Sequence, residues 1–153
     1  MNIYVASSWR NDYQPMVVKA LRKVGYEVYD FKSPKGDDYG FHWSEIDGGW
    51  QKWNFEEYIN ALNHPLSESD FKSDMDALEW ADVCVLVLPC GRSAHLELGW
   101  SIGKGKRTAI LHHSAQQIEP ELMAKMVDGQ FNSVGAILHW LDTDHDDQEQ
   151  ADE

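Results

Sequence analysis

The sequence predicts an α/β fold built on a parallel five-stranded sheet, and three observations predict it. Strand-like and helix-like segments alternate along most of the chain, which implies parallel pairing with helices on both faces. The run Val83–Leu88 is apolar throughout, as expected of a strand buried on both sides. The length, 153 residues, allows one domain with a real hydrophobic core and is too short for two typical ones.

The elements follow in order. Ile3-Tyr-Val-Ala6 reads as a short strand ended by Ser7-Ser8. Residues 13–24 read as a helix, with Val17, Val18, Leu21 and Val24 at helical spacing and Gly25 as its stop. Tyr26–Phe31 alternates and reads as a second strand. From 32 to 65 regular pattern is lost: glycines punctuate a segment studded with Phe41, Trp43, Trp50, Trp53 and Phe55. Such a stretch reads either as a lid or binding loop, or as a loop packed down by its own aromatics, with a short helix near 50–62. Periodicity returns with a helix over 68–81, the strand Val83–Leu88 and a helix over Ser93–Ile102. A strand at Arg107–Leu111, a helical piece at Pro120–Met126 and a terminal helix at Ser133–Leu141 complete the series. This fits a single flavodoxin-like (Rossmann-like) three-layer domain over residues 1–141, with strand order 2-1-3-4-5. That order sets the switch point between the first strand and Val83–Leu88, so the loops Ser7-Ser8-Trp9-Arg10 and Gly91-Arg92-Ser93 are expected to face each other across one crevice.

Composition narrows the function classes. The net charge of −13 argues against binding a nucleic-acid backbone, which needs a basic patch. Seven of the 26 acids fall in residues 142–153, a stretch without Lys or Arg that reads as a disordered acidic tail. Nothing approaches the ~18 apolar residues of a membrane span. The N-terminus enters a strand without a signal-peptide pattern, and Cys84 and Cys90 look like reduced thiols, so a cytoplasmic location is expected.

The chemistry-bearing residues gather around the central strand. After it come Cys90-Gly-Arg-Ser-Ala-His-Leu-Glu97, a glycine turn and a helix whose first turn carries Glu97. Ligands of open α/β sheets collect at the carboxyl ends of strands, where a carboxylate can serve as nucleophile or base. On the helical wheel, however, Glu97 shares a face with Ser93, Ser101 and Lys104, which reads equally as an exposed polar side. In the helix 68–81 an apolar stripe of Phe71, Met75, Leu78 and Ala81 contains Asp74, while Asp70, Asp76 and Glu79 lie at its margins or beyond. A carboxylate aimed at the core is costly unless paired or open to a cleft. Asp74 is therefore either a purposeful acid or an edge acid reaching solvent. Ser7, Ser8, Arg10, Arg92 and Ser93 suit a phosphate or a hydroxyl-rich group, although Ser93 is also a ready helix N-cap. His95, His112 and His113 lack metal-ligand spacing, Gly103-Lys-Gly-Lys106 ends a helix instead of opening one, and no Gly-x-Gly-x-x-Gly follows the first strand. No metal and no cofactor are expected.

Three separated motifs resemble the nucleoside 2-deoxyribosyltransferase superfamily, which includes the related nucleoside 5′-monophosphate N-glycosidases. Ile3–Trp9 with Asp12 and Gln14 is similar to its first strand and substrate loop. Asp74–Leu78 with Ala81-Asp82 is similar to its Asp-containing helix, and Gly91-Arg-Ser93 with Glu97-Leu-Gly99 to its nucleophile segment. The resemblance implies cleavage or transfer at the N-glycosidic bond of a nucleoside or nucleoside 5′-monophosphate through a covalent glycosyl-Glu97 intermediate. It implies Asp74 as acid–base or sugar-holding group, Tyr4 beside the sugar, and Ser7, Ser8, Trp9, Arg10, Gly91, Arg92 and Ser93 around the substrate. It also implies a homo-oligomer, a dimer or larger. Gly91 stands where the transferases carry an acid and the phosphate-requiring hydrolases a serine, so the choice of substrate and acceptor stays open. Two other readings compete: a TIR-like NAD glycohydrolase, and a non-catalytic nucleotide-binding or interaction module.

Overall fold

The computed structural model describes residues 1–34 and 39–149, with side chains through Thr143. Residues 35–38 of the expected loop and 150–153 of the expected tail lie outside the described residues. In chain order the elements are β1 (Asn2–Ala6), α1 (Gln14–Lys23), β2 (Glu27–Asp30), α2 (Phe55–Leu62) and α3 (Pro65–Trp80). Then follow β3 (Val83–Val87), α4 (Arg92–Gly103), β4 (Arg107–Leu111), β5 (Gly129–Phe131) and α5 (Val134–Glu149). Single 3₁₀ turns lie at Trp43–Glu45, Trp50–Lys52 and Leu122–Met126. Two compact units form, Met1–Tyr29 with Ala81–Glu153, and Asp30–Trp80.

The sheet is the predicted one: five strands, parallel, in the order β2-β1-β3-β4-β5. β1 pairs with β3 so that Tyr4 stands opposite Cys84 and Ala6 opposite Leu86. The amino ends of these strands are pinned together, since Asn2 N–H donates to Asp82 Oδ2 and Asp82 N–H to the Asn2 carbonyl, both at 2.8 Å. Alternation sends Ile3, Val5, Val83, Val85, Val87, Ala109 and Leu111 into one core, shared with Val17, Val18 and Leu21 of α1 and Ile137 and Leu141 of α5. Burying each of the valines, leucines and isoleucines contributes about 1.5–3 kcal/mol. Tyr4, Ala6, Cys84, Leu86, Thr108 and Ile110 are buried on the other face, where α4 packs through Ala94, Leu98 and Ser101. Gly25, at φ +100°, supplies the left-handed turn that ends α1.

In the second unit the Trp-rich segment has its own packing. Trp43 meets Phe41, Trp53 and Tyr58 edge-on, with centroids 4.9, 5.5 and 6.3 Å away. Trp53 Nε1–H donates to Asp47 Oδ2 at 2.7 Å, and Asn54 and Glu57 form a reciprocal capping box that starts α2. Here the observations favour a segment packed on its own aromatics.

Four details depart from the sequence expectations. β5 has only three residues, Gly-Gln-Phe, too short to show alternation. α5 runs on to Glu149, so part of the stretch expected to be disordered is helical; once a helix is nucleated, each further turn costs little. Phe71, placed on the apolar stripe of α3, is 67% exposed, because the buried positions are Ser67, Ala77 and Leu78. Finally, α4 is capped by Gly91 and begins at Arg92, so Ser93 is not its N-cap and Glu97 lies in its second turn.

A Cβ at Gly129 would sit 2.7 Å from the Phe131 ring, which is itself held against Trp140. Gly129→Ala is expected to lower stability by roughly 1–3 kcal/mol in urea unfolding, and an unchanged midpoint would refute this crowding. The Cys84 thiol is pushed from 9.0 up to about 12, chiefly by burial, with the Glu97 charge adding to the rise and a Ser101 hydrogen bond and the Lys106 charge opposing it. The folded protein therefore keeps this proton after the unfolded chain has lost it. That contribution is complete below the ordinary thiol range and is lost as pH rises towards about 12. The melting temperature should fall less steeply between pH 9 and 11 in Cys84→Ala than in wild type, and equal slopes would count against it.

Candidate active site

The carboxyl end of the sheet is organised by two side chains from the loop after β1. Ser7 Oγ donates to the Val87 carbonyl at 2.8 Å, and Asn11 Nδ2 donates to the same carbonyl at 3.2 Å and to that of Pro89 at 3.0 Å. Asn11 Oδ1 accepts from the backbone N–H groups of Tyr13 and Gln14 at 2.8 and 3.1 Å. These bonds bring the β1–α1 and β3–α4 loops together, as the strand order predicts. Ser7 and Asn11 are buried, Ser8 is half-buried, and Trp9, Arg10, Gly91, Arg92 and Ser93 are exposed. The Ser7 hydroxyl is thus engaged with backbone, while the two arginines and Ser93 are open to a solvent-borne ligand. Ser8 Oγ accepts from Arg10 N–H at 3.3 Å.

Glu97 is half-buried. The face it shares with Ser93, Ser101 and Lys104 is solvated only at its ends, since Ser93 and Lys104 are exposed and Ser101 is fully buried. The Ser101 hydroxyl is accommodated there by donating to the Glu97 carbonyl at 3.0 Å and by its hydrogen bond with Cys84. The Glu97 charge acts on both cysteines, and burial followed by that charge raises the Cys90 thiol to about 12. Both thiols are therefore neutral at physiological pH. Tyr4 is fully buried on the same sheet face and stacks on Tyr29 with centroids 5.2 Å apart. Glu97 lies in the second turn of α4 instead of the first, and the field of the helix N-terminus falls off within the first turn.

At the start of α4, His95 Nδ1 lies 2.9 Å from the Gly91 carbonyl. A carbonyl only accepts, so this nitrogen carries the proton and Nε2 is the basic one in the neutral ring. His95 and Cys90 line a cavity of about 820 Å³ with Leu86, Leu98, Ile110 and Met126. None of Ser7, Ser8, Trp9, Arg10, Arg92, Ser93 or Glu97 lines it. Among the described residues no group of three or more His, Cys, Asp or Glu is arranged to hold a metal ion.

Asp74 belongs to the second unit. It is half-buried on α3, as is Asp70, whereas Asp76 is exposed and paired with Lys72 across one turn. The distinction drawn between Asp74 and Asp76 on the helical wheel holds, and Asp70 joins Asp74 instead of the solvated side. The residue missed by sequence reasoning is Asn11. A polar residue in a loop carries no periodicity, and its only signal was its place two residues before Tyr13, as an Asx-type cap of the coming helix.

No protein-family model and no curated protein matches this chain. Solved structures do. A 2-deoxyribosyltransferase from Bacillus psychrosaccharolyticus is similar at 21% identity, with TM-score 0.59 and 90% of both chains covered. The CMP N-glycosidase BcmB of Clostridium botulinum is similar at 17% identity and TM-score 0.50, covering 93% of this chain and 99% of its own. A conserved protein from Enterococcus faecalis V583 is similar at 13% identity and TM-score 0.56, covering 91% of this chain and 95% of its own. At such identities the shared property is the overall fold, and this chain has the fold of a 2-deoxyribosyltransferase and of a CMP N-glycosidase.

Proposed function

We propose that this protein cleaves or transfers the N-glycosidic bond of a nucleoside or nucleoside 5′-monophosphate, with Glu97 as nucleophile. The observation that carries this reading is the half-buried Glu97 on α4, a helix that starts beside the carboxyl end of β3 and packs on the sheet face that also buries Tyr4. The likeness of fold to a 2-deoxyribosyltransferase and a CMP N-glycosidase supports the same class of bond.

In the proposed reaction a Glu97 carboxylate oxygen bonds to the anomeric carbon as the carbon–nitrogen bond to the base breaks, through an oxocarbenium-like state. The departing base takes a proton from Asp74, the half-buried acid of α3, and leaves neutral. Water or a second base then attacks the same carbon, releases Glu97 and returns a proton to Asp74. The exposed Arg10, Arg92 and Ser93 are assigned to the 5′-phosphate, to which arginines bond in a fork. Ser8, Trp9 and Gly91 are assigned to the walls around the sugar, with the buried Tyr4 and Ser7 backing them. No cofactor is required by this scheme.

The proposal includes a homo-oligomer. Leu96, Ile118, Leu122, Met123 and Met126 are large apolar side chains at least half exposed in the first unit, and three of them line the 820 Å³ cavity. A second copy is the assigned cover for this face. Sedimentation should give at least twice the 17.6 kDa chain mass, and Leu122→Glu should reduce it to the single chain. A monomeric wild type, or an unaffected variant, would remove this part of the proposal.

Chromatography tests the chemistry. Wild type and Glu97→Ala are incubated with ribo- and deoxynucleosides, their 5′-monophosphates and NAD, with and without an acceptor base. Wild type should release or exchange the base, and Glu97→Ala should be slower by on the order of 10³-fold or more with its circular dichroism unchanged. Asp74→Asn should lose most activity and the exposed Asp76→Asn almost none. Release of base by a folded Glu97→Ala at the wild-type rate would overturn the nucleophile assignment. No release from any substrate would turn the reading to a binding module.

A further inference from the structure

We propose that Asn11 is a positioning residue for this site, one that fixes the separation of its two loops; this rests on the function proposed above. Its amide has one self-consistent orientation. Oδ1 faces the N–H groups of Tyr13 and Gln14, and Nδ2 faces the carbonyls of Val87 and Pro89. The two halves of the side chain have different tasks. The oxygen serves the backbone that leads into α1. The nitrogen, 76 to 78 residues away in sequence from its partners, fastens the segment where β3 ends and the turn to α4 begins.

The location gives this clamp its consequence. Asn11 directly follows Arg10, and Pro89 lies three residues before Arg92, so the clamp joins the backbones that carry the two arginines assigned to the phosphate. Ser7 gives the Val87 carbonyl a second donor but does not reach Pro89 among the bonds the structure shows. Asn11 thus holds a point closer to the start of α4 than Ser7 does. When Nδ2 is lost the Val87 carbonyl keeps Ser7 Oγ as its donor, whereas the carbonyl of Pro89, an exposed residue, loses its tie to the β1–α1 loop and is free to turn to water. Losing the Nδ2 donor should therefore widen the crevice without touching the core between the sheet and α1.

The chemistry of the side chain allows the two tasks to be separated. Asn11→Asp keeps an acceptor for Tyr13 and Gln14 and replaces the donor by an oxygen facing two carbonyls. Asn11→Ala removes both halves. Asn11→Asp is expected to raise KM for the substrate by roughly tenfold or more with kcat changed less than threefold. Amide hydrogen exchange at Cys90–Ser93 should accelerate while the amides of α1 stay protected. Asn11→Ala should show both the KM effect and faster exchange at the start of α1. Wild-type KM in a folded Asn11→Asp protein, or equal losses in kcat and KM with unchanged exchange at Cys90–Ser93, would overturn the proposal. If wild type turns over no substrate, the functional reading fails on its own assay. Exchange at Cys90–Ser93 then still decides, and unchanged protection in Asn11→Asp would refute the clamp independently.

Discussion

The pairing of β1 with β3 is the constraint on which the rest depends. It joins the second residue of the chain to residue 82, across a long insertion, and it creates the switch point at which two successive connections leave the sheet in opposite directions. At the amino end the pairing is locked by reciprocal bonds between Asn2 and Asp82. At the carboxyl end the ladder stops and side chains take over, with Ser7 and Asn11 closing the Val87 and Pro89 carbonyls. A parallel ladder leaves polar groups unpaired where it ends, and this protein satisfies them with the residues that flank its candidate site.

The same pairing divides the labour between the two faces of the sheet. One face is an aliphatic core of valines, isoleucines and leucines against α1 and α5. The other mixes apolar residues with polar ones: Tyr4, Cys84, Thr108 and, from α4, Ser101 with Glu97. Hydroxyls on this second face are matched locally. Ser101 bonds the carbonyl one turn back, and Thr108 bonds Asp128. Both faces bury apolar side chains, and the second one also accommodates hydroxyls and the half-buried Glu97.

Much of this was legible in the sequence, and the exceptions have physical causes. Periodicity located most of the long elements to within a few residues, because each must bury one side, but it ended α5 at Leu141 where the helix runs on to Glu149. It could not find β5, in which three residues cannot display a period of two. It misjudged Ser101, whose hydroxyl satisfies itself within the helix and so sits in the core like a small apolar residue. Phe71 failed for the opposite reason, as an apolar side chain on a helix whose buried face runs through Ser67, Ala77 and Leu78. Asp74 and Glu97 stand out in the sequence as candidates because each breaks a pattern or follows a strand end. Asn11 was not found, because its importance lies in partners nearly 80 residues away.

The neutral Cys84 thiol has one more consequence, for the bench instead of the active site. It lies fully buried in the central strand, and a thiol that does not ionise is a poor nucleophile towards alkylating reagents. Labelling at Cys84 by iodoacetamide would occur through openings of the sheet itself. The rate of its modification, followed by mass spectrometry, would then serve as a clock for how often the β1–β3–β4 core comes apart, with no probe added to the chain.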